Sequence, residues 1–309
     1  MSMHIILGAG GAIGKGLAQV LLSSGESPRL VSRNPSLVEG AEVFPADITD
    51  LQQTLQAVQP SSIVYLCVGL PYDFSVWRKE WPKIMDNAIE ACKRSNSKLI
   101  FFDNVYMYGK VDGWMTENTP YNPVSKKGDL RARIATQLMS EVRKGNITAI
   151  IARSADFYGP YADKTSVPNL LVFAKLAKNK NAQWMINPSV RHSFTHTSDA
   201  AESLYLLAKN EHAWNQVWHL PTAGNPITGR EFINLAARAM NKSNNLFILR
   251  KWMIRLGGLF DKTIRELYEM AYQNEFEYLF DSSKFQQAFN YQPRSYQEGI
   301  AEVAATFTK

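Results

Sequence analysis

Cysteine is scarce in this chain, which has two, Cys67 and Cys92, among its 309 residues. Two isolated cysteines, each within an apolar or helix-like stretch, form neither a disulfide framework nor the spacing of a zinc site. We interpret both as buried thiols, and we expect no metal site.

Long hydrophobic runs and clusters of one charge are also missing. No apolar run approaches the roughly 18 to 20 residues of a membrane span, and the N-terminus lacks the basic segment and cleavage site of a signal peptide. Basic residues number 34 against 28 acidic ones, but they are scattered and do not form the stripe that binds nucleic acid. We therefore expect a cytoplasmic protein that binds a small-molecule substrate, with no nucleic acid and no membrane as partner. The sequence leaves open whether the chain forms a homodimer.

The first half of the chain alternates short apolar runs with amphipathic stretches. Apolar residues recur at helical spacing from Ile13 to Leu21, Gly25 follows as a stop, and Asp50 has the residue type of an N-cap for the next helix. Strands that alternate with helices need crossover connections, so we predict an α/β fold with a doubly wound, mostly parallel sheet. The predicted strands are His4–Leu7, Arg29–Val31, Val43–Phe44, Ile63–Val68, Leu99–Phe102 and Thr148–Ala152.

The pattern changes after Arg153, where proline, glycine and asparagine interrupt the remaining segments. We predict that residues 1–153, with a return at about 194–220, form the sheet domain, and that about 154–193 and 221–309 form a smaller C-terminal substrate lobe. A crevice is expected between them, at the carboxyl ends of the strands. Further predicted elements are a helix near 170–178, a strand at Phe194–Thr197, and helices at Ser198–Lys209, 229–241, 262–274 and 296–307.

A glycine-rich turn, Gly8-Ala9-Gly10-Gly11-Ala12-Ile13-Gly14, joins the first strand to the first helix. Glycine adopts positive φ and lets backbone N–H groups approach an anion, and the helix N-terminus adds partial positive charge. This context favours the phosphate-binding turn of a Rossmann-type domain over a merely structural turn. We predict a nicotinamide dinucleotide bound through Gly8, Gly11, Ala12, Ile13 and Gly14.

The end of the second strand bears on which nucleotide binds. A carboxylate there would bind the ribose 2′-OH of NAD, whereas an arginine suits the 2′-phosphate of NADP. The strand ends in Ser32-Arg33 without a carboxylate, so we expect NADP, with NAD as second choice; the alternative is that Arg33 is only a surface residue. Asp47-Ile48 is a further cofactor candidate, with Asp47 as an acceptor for the adenine amino group or as a turn residue.

Several short motifs follow one another in order along nearly the whole chain: Gly8-x-x-Gly11-x-x-Gly14, Asp47-Ile48, Cys67-Val68-Gly69, Val105–Gly109, Pro120-x-x-Pro123, Arg153–Pro160 and Arg191–Asp199. Together they resemble the extended short-chain dehydrogenase/reductases, specifically the NAD-dependent epimerase/dehydratase group. The resemblance implies an NAD(P)-dependent enzyme and adds Cys67 and Gly69 as cofactor contacts.

The resemblance also places the family's catalytic Ser or Thr, Tyr and Lys. These positions are held here by Asn104, Lys127 and Arg131 respectively. All three are changed, which implies an atypical active site. Arg131 in place of the lysine is expected to keep the ribose contact of the cofactor.

Two side chains are candidates for the missing proton donor. Lys127 and Arg131 lie one helical turn apart, and charge repulsion with desolvation would lower the pKa of Lys127, which suits a general acid or base. Tyr106, after the fifth strand, is the other candidate, and Asn104 completes the predicted catalytic set. The alternative is that Lys127 and Arg131 are cofactor-binding or solvent-exposed cations without a catalytic role.

The resemblance further implies substrate contacts. Asp156 matches a position that often hydrogen-bonds substrate, and Arg191 matches an arginine that often holds a nucleotide-sugar diphosphate, for which its guanidinium fork is suited. Pairing with an acidic neighbour is the alternative for Arg191. The predicted substrate-binding set is Tyr72, Tyr108, Asp156, Asn169 and Arg191.

Two functions remain open at this point. The first is an oxidoreductase or epimerase that transfers a hydride at a carbinol or ketone carbon of a sugar, a sugar nucleotide or another small molecule. The second is a non-catalytic NADP-binding sensor or regulator, which the changed triad favours. The retained Asp156 and Arg191 favour the enzyme.

Overall fold

The computed structural model describes residues 3–59 and 63–308. The predicted strands and most predicted helices are present, with ends that shift by a few residues, and several short strands and helices are added. The helix predicted near 170–178 begins as a π-helical turn, and the one predicted at 262–274 ends at Glu269 and is followed by a 3-10 turn. The strands are β1 His4–Leu7, β2 Arg29–Ser32, β3 Glu42–Pro45, β4 Ile63–Leu66, β5 Lys98–Asp103, β6 Trp114–Met115, β7 Ala149–Arg153, β8 Asp156–Tyr158, β9 Ala182–Met185, β10 Arg191–His192, β11 Phe194–His196, β12 Val217–His219, β13 Ile227–Thr228, β14 Leu246–Leu249 and β15 Leu279–Phe280.

The helices include single turns of 3-10 helix at Tyr106–Tyr108, Glu211–Ala213 and Ala271–Asn274, and a π-helical turn at Asn169–Phe173. Within the described ranges, no helix is both long and apolar enough to cross a membrane. The α-helices are α1 Ala12–Ser23, α2 Leu51–Val58, α3 Phe74–Ser95, α4 Lys126–Arg143, α5 Ala174–Ala177, α6 Thr197–Lys209, α7 Gly229–Ala239, α8 Lys251–Gly257, α9 Lys262–Glu269, α10 Ser283–Phe289 and α11 Tyr296–Phe307.

The central sheet has seven strands in the order β12-β7-β5-β4-β1-β2-β3, and every pairing is parallel. The chain moves outward in one direction from β1 to β3 and in the other from β4 to β12. The reversal places a crevice beside the carboxyl end of β1, where doubly wound folds bind ligands. The predicted α/β Rossmann-type fold is therefore confirmed.

The sheet is buried on both faces because alternate residues of its strands point to opposite sides. Leu7, Leu66 and Phe101 pack on one face against α2, α3 and α4. Ile6 and Tyr65 pack on the other face against α1 and α6. These two layers hold the carboxyl ends of the strands, and so the crevice, in a fixed position.

The segments beyond β7 build a second core around the carboxyl side of the sheet. Phe232 of α7 contacts Tyr158, Phe173 and Trp184, and α11 packs against the same cluster. The chain returns to the central sheet as β12, which lies within the predicted return segment 194–220. The strand predicted at Phe194–Thr197 forms instead a separate two-stranded parallel sheet with β8.

Candidate cofactor and active site

The glycine turn between β1 and α1 cannot carry side chains at two of its positions. Gly8 has φ +95°, and a Cβ there would lie 2.7 Å from the Cα of Val68. A Cβ on Gly14 would lie 2.7 Å from the carbonyl oxygen of Gly8. Both glycines are therefore required by the close approach of backbone segments.

Gly11 differs, because its Cβ would meet only ordinary contacts, at 3.6 Å from the Cys67 and Gly8 carbonyl oxygens. It is the N-cap of α1, makes no side-chain cap, and the first turn has no acidic residue. The N–H groups of Ala12 and Ile13 in this first turn therefore have no side-chain acceptor and lie at the partial positive end of the helix dipole. The turn thus fits a bound pyrophosphate on grounds of its own geometry.

The tip of β2 carries the residues expected at the adenosine end. The Ser32 hydroxyl oxygen is buried without a hydrogen-bond partner, while Arg33 is exposed. A buried hydroxyl without a partner is uncommon, and a ligand oxygen would satisfy it. Arg33 extends into solvent next to it, where it can meet an anion.

Asp47 follows β3 and accepts hydrogen bonds from the backbone N–H and the hydroxyl of Thr49, at 2.9 and 2.8 Å. The Thr49 N–H, more than the hydroxyl or the nearby Arg33 charge, lowers the pKa of the Asp47 carboxyl. Asp47 is thus ionised at neutral pH and already caps a turn. Ile48 beside it is buried in the core.

The end of β4 closes the other side of the glycine turn. The Cys67 N–H donates to the Leu7 carbonyl at 2.8 Å, and burial raises the pKa of the Cys67 thiol to about 12. The sulfur is therefore an uncharged packing group. At Gly69 a Cβ would meet nothing within 4 Å, so the backbone there faces open space.

Lys127, at the position of the family tyrosine, is completely buried at the start of α4. Its ammonium donates to the carboxylate of Glu266, to that of Glu269 at 3.1 Å, and lies 4.7 Å from the ring centre of Tyr72. Both carboxylates come from α9. The predicted repulsion from Arg131 is thus offset by two counter-charges, and Lys127 is held as one member of an ion-pair cluster.

Arg131, at the position of the family lysine, is also buried and forms a separate pair. Its Nε donates to the Asp103 carboxylate at 2.8 Å, and its guanidinium lies 4.2 Å from the ring centre of Trp81. The second oxygen of Asp103 is buried without a hydrogen-bond partner. Because the guanidinium is engaged by Asp103 and the ring, the ribose contact of Arg131 stays a prediction.

Replacing both α9 carboxylates tests how strongly the Lys127 cluster holds the fold. In the double variant Glu266→Gln, Glu269→Gln the buried ammonium loses both counter-charges, which we expect to lower the free energy of unfolding by about 3–5 kcal/mol. The matched control is Glu211→Gln, which removes the exposed partner of Lys98 and should cost less than about 1 kcal/mol. Urea unfolding measures both; equal losses in the two variants would contradict a buried, paired Lys127.

Phenol groups converge at the crevice side of Lys127. Tyr106 is half-buried, stacks on Trp77 with ring centres 6.4 Å apart, and its hydroxyl lies near that of Tyr72. Burial and, after it, the negative charge of Asp156 raise the pKa of the Tyr106 phenol, while the Arg131 charge opposes part of that rise. Burial also raises the pKa of Tyr72. Both phenols are therefore neutral at physiological pH.

Asn104 supports Tyr106 from the preceding turn. Its side-chain oxygen accepts from the Tyr106 N–H at 3.0 Å. From the C-terminal lobe, Tyr272 lies near Ser125, which caps α4, and near Tyr106 and Asp156. Three phenols and one carboxylate thus share this part of the crevice.

Tyr108, by contrast, lies in the interior. Its hydroxyl accepts from Arg153 at 2.6 Å and is 2.7 Å from Nε2 of His219. Burial lowers the pKa of His219 to about 3, so the neutral ring donates from Nδ1 to the Asp281 carbonyl at 2.8 Å and accepts from Tyr108. This network ties β7 and β12 to the C-terminal lobe, and a substrate contact by Tyr108 stays a prediction.

The substrate side of the crevice contains a small pocket with a largely apolar lining. Asp156 and His192 supply its polar side, with 3.1 Å between the Asp156 carboxylate and Nε2 of His192. The His192 ring is stacked between Phe194 and Tyr278, at 4.4 and 4.2 Å. The other lining residues are Val167, Pro168, Leu171, Trp184, Met185, Phe194 and Asn274.

Two predicted substrate contacts already have protein partners. Arg191 is half-exposed and donates from Nε and Nη2 to the Glu277 carboxylate, at 2.6 and 3.1 Å. Asn169 is fully buried and its amide donates to the Gly159 carbonyl at 2.9 Å and accepts from Ser166 at 3.1 Å. The sequence alternative for Arg191, an acidic neighbour, is thus present.

Sequence reasoning missed Asp103, Glu266, Glu269 and Tyr272. Asp103 adjoins a motif residue and ends a buried strand, which is a usable signal for a paired charge. The other three lie in an amphipathic stretch with no motif. In the part of the chain that is described, no group of three or more His, Cys, Asp or Glu side chains could hold a metal ion.

Comparisons with known proteins agree with this architecture. The profile described as the NAD dependent epimerase/dehydratase family matches residues 4–219. The UDP-glucose 4-epimerase of Thermus thermophilus in complex with NAD superimposes with a TM-score of 0.79, at 17% identity, over 99% of this chain and 98% of that one. No curated protein matches the chain.

Two further solved structures show the same fold. The UDP-glucuronic acid 4-epimerase of Bacillus cereus, in complex with UDP-glucuronic acid and NAD, has a TM-score of 0.79 and 17% identity over 99% of this chain and 98% of that chain. The dTDP-glucose 4,6-dehydratase of Bacillus anthracis str. Ames, in complex with NAD, has a TM-score of 0.80 and 13% identity over 99% and 96%. At such identities the likeness establishes the fold.

Proposed function

This chain belongs to the NAD dependent epimerase/dehydratase family, and from that premise we propose that it is an NADP-using enzyme that transfers a hydride at a carbinol or ketone carbon. The observation that carries the proposal is the meeting of an uncapped helix N-terminus with a phenol pair at one crevice. The helix N-terminus is suited to bind a pyrophosphate, and the phenol pair is suited to transfer a proton.

The dinucleotide would lie along the carboxyl ends of the strands. Gly11, Ala12 and Ile13 would hold its pyrophosphate, Ser32 and Arg33 its adenosine 2′-phosphate, and Asp47 its adenine amino group. When bound, the nicotinamide ring supplies the carbon that gives or accepts the hydride. The remaining cofactor contacts we propose are Gly8, Gly14, Ile48, Cys67, Gly69 and Arg131.

The proton that accompanies the hydride passes through Tyr106 in this proposal. Burial and the Asp156 charge keep this phenol neutral by raising its pKa, the Arg131 charge offsets part of that rise, and Asn104 fixes the turn that carries Tyr106. A neutral phenol at physiological pH can donate a proton to a developing alkoxide and recover it in the reverse direction. Lys127 keeps Tyr72 in place through its contact with that ring.

A sugar or sugar nucleotide is the substrate class that we propose. Structurally similar proteins have been solved with UDP-glucose and UDP-glucuronic acid. The Arg191–Glu277 pair is half-exposed on both sides, and such pairs contribute about 0–1 kcal/mol, so a diphosphate can displace Glu277 at little cost. Asp156 and His192 would then face the sugar hydroxyls.

The proposal is tested by incubating the protein with oxidised NADP and UDP- or dTDP-hexoses and, separately, with NADPH and simple 2-ketones. Chromatography of the sugars and NADPH absorbance report epimerised, dehydrated, oxidised or reduced product. Turnover of any compound supports the enzyme. A protein that binds NADP tightly and converts none of them would support instead the non-catalytic sensor that the changed triad favours.

Arg33→Ala tests the preference for NADP. The loss of a charged contact to the 2′-phosphate should weaken NADPH binding roughly 10- to 100-fold and leave NADH binding unchanged. Calorimetric titration of both nucleotides gives the two dissociation constants. Arg78→Ala, at another exposed arginine, is the control and should alter neither; an equal loss for NADH and NADPH in Arg33→Ala would refute the assignment.

A further inference from the structure

The helical hairpin formed by α8, the turn 258–260 and α9 exposes a group of large apolar side chains. Trp252 is 62% exposed, Leu256 52%, Leu259 73% and Phe260 88%. Single exposed apolar residues are ordinary, but four large ones within the nine residues 252–260 indicate a surface that binds a partner. Neither the cofactor turn nor the crevice described above uses these four side chains.

The hairpin presents these side chains, called the apolar tip below, as two pairs, one on α8 and one in the turn that follows it. Trp252 and Leu256 are four residues apart on α8 and so share one face of the helix. Ile254 is buried on the other side, and a Cβ on Gly258 would lie 2.9 Å from the Cα of Arg265, so the turn packs tightly against α9. The apolar tip is therefore a built feature of the hairpin.

Positive charge surrounds this tip. The segment 250–265 contains five cations and one carboxylate, Asp261, which caps α9 through the Ile264 N–H. Lys251 and Lys262 are paired with Glu275 and Asp73. Among residues 3–59 and 63–308, no carboxylate forms an ion pair with the three remaining cations, the exposed Arg250, Arg255 and Arg265.

We propose that this hairpin docks on the anionic surface of a lipid bilayer. Tryptophan, leucine and phenylalanine flanked by arginine are the residues that lie at the boundary of headgroups and acyl chains. The apolar tip would enter that boundary while the three arginines meet lipid phosphates, which supplies the counter-charge that the protein does not. The patch thus complements an anionic bilayer both in its apolar side chains and in its positive charge.

A second copy of the chain fits this surface less well. A two-fold contact places the same patch on both partners, so the arginines of one copy would approach those of the other, with Asp261 as the single carboxylate of the segment. The expectation that no membrane is a partner came from the lack of a spanning run. Docking on the surface of a bilayer requires no such run.

Docking would place the crevice beside the bilayer, because α9 also carries Glu266 and Glu269, which bind Lys127. Substrate delivered from the bilayer surface would then reach the phenol cluster directly. The docking proposal itself does not depend on the enzymatic one, since vesicle binding is measured without turnover.

Co-sedimentation with vesicles tests the proposal. We expect the protein to bind vesicles of phosphatidylcholine with phosphatidylglycerol at least about tenfold more tightly than phosphatidylcholine alone. Two double variants remove the apolar and the basic side chains: Leu259→Ser, Phe260→Ser and Arg255→Glu, Arg265→Glu. We expect each to bind the anionic vesicles at least about tenfold more weakly than the wild type does. Leu37→Ser, at an equally exposed leucine elsewhere, is the control and should bind as the wild type does.

Folding is checked for each variant by circular dichroism, and all the changed side chains are exposed. The proposal is overturned if the wild type does not bind anionic vesicles, or if it binds but neither double variant weakens binding more than Leu37→Ser. It is also overturned if the wild type is a dimer by light scattering and Leu259→Ser, Phe260→Ser converts it to a monomer without vesicle binding in either form. Selective loss in both double variants supports it.

Discussion

Tyr106→Phe is expected to reduce turnover about 100- to 10,000-fold, which is the range for loss of a positioned general acid or base. The reason is that this substitution removes the phenol oxygen and nothing else of the ring. The stacking of Tyr106 on Trp77 and the hydrogen bond that its backbone N–H donates to the Asn104 side chain do not involve the hydroxyl. The fold and the cofactor turn should therefore be unaffected.

The measurement is steady-state turnover on the first compound that the wild type converts, together with the dissociation constant for NADPH. We expect the rate to fall while NADPH binding stays within about twofold. Tyr205→Phe, which removes a phenol oxygen near His4 on the far side of the sheet, is the matched control and should keep full activity. A Tyr106→Phe protein with wild-type turnover would exclude Tyr106 as the proton donor.

Gly11→Val is expected to weaken dinucleotide binding at least about 100-fold with little change in stability. Gly11 has φ −78° and ψ 168°, an extended conformation that valine adopts readily. The added Cβ would have only ordinary contacts within the protein. It would, however, occupy the space that a pyrophosphate must enter to reach the helix N-terminus.

Gly14→Ala provides the contrast, because its Cβ would lie 2.7 Å from a backbone oxygen and must disturb the turn itself. We expect Gly14→Ala to have both a lower melting temperature and a weaker affinity for NADPH, whereas Gly11→Val weakens only the affinity. Thermal unfolding and calorimetric titration separate the two effects. Wild-type affinity for NADPH in Gly11→Val would place the nucleotide away from this turn.

The sequence predicted the central sheet and the glycine turn because both depend on residues that are close together in the chain. Apolar runs of strand length, a periodic α1 and glycines with a steric reason at Gly8 and Gly14 are all visible within about 20 residues. Asp50 caps α2, accepting from the Gln53 N–H as its residue type predicts. The central strands therefore appear nearly where the sequence placed them.

The partners of the changed triad could not be predicted from such patterns. Lys127 is matched with Glu266 and Glu269, about 140 residues further along the chain. The periodic pattern of α9 predicts that the helix has a polar face, but it does not predict which other element of the fold that face contacts. The same holds for Arg191, whose acidic partner Glu277 lies in a segment without regular structure.

Arg131 carries the same positive charge as the lysine that the resemblance places at this position, but its contacts were not predicted. The resemblance predicts a ribose contact from the residue type alone. The structure pairs Arg131 with Asp103 on a strand 28 positions earlier and stacks it against Trp81. The buried carboxylate explains why an arginine is stable there, and this carboxylate belongs to no motif.

Titration of NADPH and NADH into the wild-type protein, followed by calorimetry, tests the central claim most directly. The account predicts saturable binding of one nucleotide per chain, tighter for NADPH than for NADH, and lost in Gly11→Val. A folded protein that binds neither nucleotide at millimolar concentration would contradict it.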